Sequence, residues 1–78
     1  AKPIPRTAWR AVSLARDYLE ENVFRTVRSE ELEAITGLDR YALSRHFRAA
    51  FSTSPHRFLL MRRLQRARRM IEASESLA

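Results

Sequence analysis

Gly37 is the only glycine in a chain of 78 residues, and it separates two segments whose apolar residues recur at three- and four-residue steps. With a single freely turning residue, the architecture is set by where each helix stops and how the next one starts. The three-to-four spacing occurs in four segments, and no strand-like alternation, internal repeat or low-complexity stretch interrupts them. The pattern predicts an all-α fold: a small bundle of about four helices containing a helix-turn-helix, of the homeodomain-like kind.

Residues 1–6, with Pro3 and Pro5, read as an extended lead-in or linker. Thr7 is placed to cap a first helix to about Asn22, with Ala8, Ala11, Val12, Ala15, Tyr18 and Leu19 along its apolar face and Trp9 at the core or its rim. A short helix is expected from about Ser29 to Thr36, capped by Ser29 or Thr26, with Glu30 and Glu31 at its positive end and Leu32 and Ile35 buried. Gly37 suits a left-handed helix stop, and Asp39 is placed to cap a third helix from Arg40 to Phe51, whose core stripe is Leu43, Phe47, Ala50 and Phe51. Residues 52–55 break that helix. Ser54 and Pro55 then make a cap and first turn for a fourth helix to about Ala73, with Phe58, Leu60, Met61, Leu64, Ala67 and Ile71 as its apolar side.

One small domain is all that this length supports, spanning residues 7–73. No apolar run is long enough for a spanning helix, and the start carries no signal-peptide pattern, so no membrane partner is expected. The absence of cysteine removes disulfides, thiol catalysis and cysteine-type zinc sites, and fits a cytoplasmic setting.

The net charge of +6 is unevenly distributed. Residues 1–38 hold six basic and six acidic side chains, whereas residues 39–71 hold nine arginines against Asp39 alone. All nine are arginine and none is lysine, which suits bidentate contacts to phosphates and guanine edges. A solvated arginine-rich helical surface is the plainer explanation.

Two short helices joined by a tight glycine turn, the second carrying polar and basic side chains beside its core stripe, match a DNA-reading helix-turn-helix. At about 100° per residue, Arg40, Tyr41, Ser44, Arg45 and Arg48 span an arc of about 140° centred roughly a third of a turn from the apolar arc. Arg40, Tyr41, Ser44 and Arg45 lie toward the end that reaches base edges in a major groove. Arg48, a turn further on, suits a phosphate, as do Thr53, Ser54 and Arg57 at the start of the fourth helix, where hydroxyls meet a positive helix end. Plain capping accounts for Thr53 and Ser54 equally well.

Other functions find less in the sequence. His46 and His56 have no cysteine companions and no common metal spacing, and no serine has an evident base and orienting acid, so neither catalysis nor a cofactor is expected. FLLMRRLQRARRMI could act as a basic amphipathic helix for a membrane or a calmodulin-like partner, but its apolar residues are needed to close so small a core. A helical protein-interaction module with a basic surface for an acidic partner is the main alternative to DNA binding. RNA binding lacks aromatic stacking platforms.

The stretch LEAITGLDRYALSRHFRAAFSTSPHRFL and the following RRLQRARRMI resemble the DNA-binding region of AraC/XylS-type bacterial transcriptional regulators. Leu32, Gly37, Leu38, Leu43, Arg45, Phe47, Ser54, Pro55, Arg63, Leu64, Ala67 and Arg68 fill the signposts of that family in order. The resemblance implies two helix-turn-helix units joined by a long helix and reading double-stranded promoter DNA, with RNA polymerase as a further partner of a full-length regulator. On that basis Ser29 to Phe51 is the first unit, Arg57 to Ala73 the joining helix, and residues 74–78 the start of a second unit, so that this chain is expected to be a monomeric fragment that binds DNA weakly and with little sequence preference. Two positions depart from the family. Glu33 stands where a small residue is usual, which requires either splayed helices or a carboxylate that reaches solvent or an arginine. Ser52 stands where glycine is frequent.

Overall fold

The structure, a computed structural model, describes residues 4–76. Four helices follow in order: α1 (Arg6–Glu21), α2 (Ser29–Thr36), α3 (Arg40–Phe51) and α4 (Pro55–Ser76). No strand occurs among the described residues. The all-α bundle expected from the spacing is therefore present, and α3 has the bounds its flanking signals predicted.

Helix α1 starts two residues earlier than a Thr7 cap would give, and without that cap. Pro5 stands at the N-cap with φ −57° and ψ 148°, and no side chain caps the helix. Its carbonyl accepts from the Trp9 N–H at 3.0 Å, so the fixed proline φ launches the helix and leaves Thr7 exposed inside the first turn. The lead-in read over residues 1–6 thus ends at Pro5, and its first three residues lie outside those described.

The core is built around α1, which packs against each of the other three helices. Val12, Ala15 and Leu19 meet Leu32 of α2, Leu43 and Phe47 of α3, and Leu59 of α4. Small side chains at Ala8, Ala11 and Ala15 let α1 bury most of one face. Phe47 is fully buried and lies edge-on to Phe51 and Phe58, with ring centroids 4.8 and 5.7 Å away. Trp9 is a rim residue, 43% exposed and edge-on to Phe51.

Helix α4 departs most from expectation. Leu59, absent from the predicted stripe, is its buried residue, while Leu60, Met61, Leu64 and Ile71 are exposed. The inward face runs through Phe58, Leu59, Arg62, Arg63 and Arg66, and after two turns it meets the polar end of α1 instead of apolar side chains. Arg63 donates from Nε to the Val23 carbonyl at 2.5 Å and from Nη2 to the Arg25 carbonyl at 2.7 Å. Arg62 donates to Glu20 Oε1 at 2.8 Å, and Arg66 donates to the Glu20 carbonyl at 3.4 Å. Three of the nine arginines in the charged block therefore fasten α4 to α1 and the loop after it. The helix continues past Ala73 to Ser76. Residues 77 and 78 of the expected second unit lie outside the described residues.

Candidate nucleic-acid interface

Gly37 ends α2 in the left-handed conformation, φ 74° and ψ 7°, and its N–H donates to the Glu33 carbonyl at 2.9 Å. A Cβ placed on Gly37 would meet no atom within 4 Å, so glycine is favoured here by its dihedral angle and not by crowding. Two residues later Asp39 opens α3 as expected. Its carboxylate accepts from the Tyr41 N–H at 2.9 Å and from the Ala42 N–H at 2.8 Å.

Glu33 completes this end of α3 in a way the sequence left open. Its carboxylate accepts from the backbone N–H of Arg40 at 2.8 Å. The first three N–H groups of α3, otherwise unpartnered, are thus all held by two carboxylates, one from α2 and one from the cap. The start of α3 has no donor left for a phosphate, in contrast to the start of α4.

Of the four expected base-reading residues, Tyr41 is 78% exposed, Arg40 and Arg45 are exposed, and Ser44 is half-buried. Tyr41, Arg45 and Arg48 follow one another at steps of four and three, so they form one outward stripe while Leu43 and Phe47 point inward. Arg45, Arg48 and Arg57 have no side-chain hydrogen bond or ion pair among the described residues. Arg40 differs, because its guanidinium faces Glu30 at 3.6 Å and Glu33 at 4.0 Å.

The four expected phosphate contacts converge. Arg48, Thr53, Ser54 and Arg57 line one open cleft of about 580 Å³ between the end of α3 and the start of α4, together with Phe51, Ser52 and Met61. The Arg57 N–H donates to Ser54 Oγ at 3.2 Å, so Ser54 is a cap, as expected, on the same wall as the two arginines. Ser52 forms the corner with φ 61° and ψ 18°, its N–H donating to the Arg48 carbonyl at 2.8 Å. It adopts the left-handed conformation that glycine would take, at a cost of about 1 to 2 kcal/mol.

A second cleft, of about 350 Å³, borders the first half of α3 and shares Ser54 with the first. Leu19, Leu32, Leu43 and Leu59 form its floor, and Tyr41, Ser44, Ser54 and His56 belong to its rim. Arg40 is the one arginine in its lining, and the facing Glu30 and Glu33 offset that charge.

At the connection between α1 and α2, Tyr18, Arg25 and Glu31 form a network that periodicity alone did not reveal. Glu31 accepts from the Tyr18 hydroxyl at 2.5 Å and from both Arg25 terminal nitrogens, at 2.7 and 3.1 Å. It also accepts from the Arg28 N–H at 3.3 Å, which ties the start of α2. The hydrogen bonds from Arg25 and then Tyr18 pull the Glu31 carboxyl down to about 2. The same contacts push the Arg25 guanidinium and the Tyr18 hydroxyl up, each chiefly through its hydrogen bond with Glu31. Glu31, expected from the sequence only at the positive end of α2, therefore organises the α1–α2 connection.

Among the described residues no group of three or more histidine, aspartate or glutamate side chains could hold a metal ion, and no helix is long and apolar enough to cross a membrane. No protein-family model, curated protein or solved structure matches the chain.

Proposed function

We propose that the chain is a DNA-binding module of a bacterial, cytoplasmic transcriptional regulator, of the AraC/XylS type that its sequence resembles, and that α3 enters the major groove of double-stranded promoter DNA. The observation that carries this reading is the arrangement around α3. Its outward stripe of Tyr41, Arg45 and Arg48 is continuous with the cleft of Arg48, Thr53, Ser54 and Arg57, and the three arginines here have no side-chain partner among the described residues. A groove-inserted helix needs this combination of base-facing side chains and an adjoining basic, hydroxyl-rich seat for the flanking phosphate. On this reading Tyr41, Ser44 and Arg45 face bases, with Arg40 at the leading end, and the cleft holds the backbone.

One reading helix makes few contacts, so this chain alone binds DNA weakly, with strong salt dependence and modest sequence preference. Fluorescence anisotropy on labelled duplexes of varied sequence, at several salt concentrations, tests the reading. Binding that weakens in Arg45→Ala, and less in Arg66→Ala, supports it; no detectable binding to any duplex at the lowest salt sinks it. A second reading, docking of an acidic helical partner, draws on the distal part of α4, where Leu64, Met70 and Ile71 are exposed among arginines. Failure of the DNA experiment would favour it.

A further inference from the structure

Among the described residues, Arg40 is the one arginine on α3 whose guanidinium faces carboxylates. Glu30 Oε1 lies 3.6 Å from its Nη2 and Glu33 Oε2 lies 4.0 Å from its Nε, both projecting from α2. Glu33 is itself anchored, because its Oε2 accepts from the backbone N–H of Arg40 at 2.8 Å. The guanidinium is planar, so with one edge turned toward the α2 carboxylates its other edge faces away from them. That free edge, made of Nη1 and the outer hydrogen of Nη2, presents two parallel N–H groups.

Two acceptors in DNA compete for such an edge. A phosphate is charged, and two nearby carboxylates oppose its approach. The O6 and N7 atoms of guanine carry no net charge and match the fork through two hydrogen bonds. A guanidinium already oriented by its neighbours also loses less side-chain freedom on binding. We infer that Glu30 and Glu33 are positioning residues that turn Arg40 away from phosphates and make it a specificity-determining contact to a guanine edge. The inference rests on the DNA-binding reading and deepens it. It also gives a function to the carboxylate at position 33, where the resembling family usually has a small residue.

The test compares the parent chain with Arg40→Ala, Glu30→Gln and the double variant Glu30→Gln/Glu33→Gln. Glutamine at position 33 keeps an oxygen that accepts from the Arg40 N–H, so α3 retains that cap, and circular dichroism checks the fold. Should the double variant unfold, Glu30→Gln alone carries the comparison, since Glu30 bonds no backbone group of α3. The measurements are base preference, by selection from a randomised duplex pool, and the salt dependence of affinity. The parent is expected to prefer guanine severalfold at one position, and Arg40→Ala to abolish that preference. The double variant should lose most of it while binding all duplexes more tightly, with a log–log salt slope steeper by up to about 0.9 as Arg40 becomes free to meet a phosphate.

Unchanged preference and slope in the glutamine variants would overturn the inference and leave the two carboxylates as helix caps only. An Arg40→Ala variant that keeps every base preference of the parent, guanine included, would overturn it as well. If the parent binds no duplex at the lowest salt, the DNA-binding reading fails and this inference falls with it, an outcome distinct from the other two.

Discussion

Arg63 on α4 reaches back about forty residues in sequence to the loop after α1, where its Nε bonds the Val23 carbonyl at 2.5 Å and its Nη2 the Arg25 carbonyl at 2.7 Å. Between α1 and α2 the Val23 and Arg25 carbonyls accept from no backbone N–H among the described residues, and one planar side chain satisfies both. Arg63→Ala should therefore destabilise the fold by about 2 kcal/mol, and Arg63→Lys by about 1 kcal/mol, because a point donor cannot bridge both oxygens. In a domain of this size each kcal/mol lowers the melting temperature by about 4 to 8 °C, so thermal denaturation followed by circular dichroism separates the two variants. Equal melting temperatures for Arg63→Lys and the parent would show that charge alone is needed.

The two left-handed corners on either side of α3 should respond in opposite ways. Ser52 holds φ 61° with a side chain, so Ser52→Gly relieves strain and, after the extra freedom glycine gives the unfolded chain, should stabilise by about 0.5 to 1 kcal/mol. Gly37 holds φ 74° with open space around it, so substitution costs only the dihedral preference. Gly37→Ala should lose about 1 kcal/mol, Gly37→Asn less, and Gly37→Val more, since a β-branched side chain is worst in that region. Urea unfolding of the set checks the order. A destabilised Ser52→Gly would mean that the serine side chain contributes more than its strain costs.

Acid should weaken the Tyr18–Arg25–Glu31 network. The folded Glu31 carboxyl titrates near 2, below its ordinary value of 4.5, so it contributes stability that is fully present above pH 4.5 and is lost as the pH falls toward 2. Glu31→Gln removes this contribution. The stability difference between parent and variant should be largest at neutral pH and shrink steadily between about pH 4.5 and 2, as measured by urea titrations at stepped pH. A difference independent of pH over that range would assign the effect to the lost shape of the side chain and not to its charge.

These cases also mark what the sequence disclosed. The bounds of α3 were legible because three local signals agree: the left-handed stop at Gly37, the Asp39 cap, and the serine-proline start of α4. The grouping of Arg48, Thr53, Ser54 and Arg57 was legible for the same reason, since a short break between two helices leaves their ends side by side. The face of α4 was not. Apolar periodicity locates an inward face only where that face is apolar, and here Arg62, Arg63 and Arg66 occupy it to meet the carboxylate and carbonyls at the end of α1 and the loop beyond. Glu33 was half legible. Its position left splayed helices, solvent or a nearby arginine open, and a backbone N–H seven residues on depends on how the turn folds back.

The proposed division of work on α3 gives a final test. Arg45 lies one turn nearer the start of the helix than Arg48, and only Arg48 lines the cleft with Thr53, Ser54 and Arg57. A contact to a base edge carries sequence information, whereas a contact to a phosphate carries charge alone. Arg48→Ala should therefore weaken binding to all duplexes by a similar factor and flatten the log–log salt slope by about 0.9, with the base preference unchanged. Arg45→Ala should weaken the preferred duplex more than the others and reduce discrimination at one base position. Anisotropy titrations on a preferred duplex and a scrambled one, at 50 to 200 mM salt, measure both quantities. If the two variants instead exchange these signatures, the cleft does not hold the phosphate, and α3 would have to meet the groove rotated about its own axis.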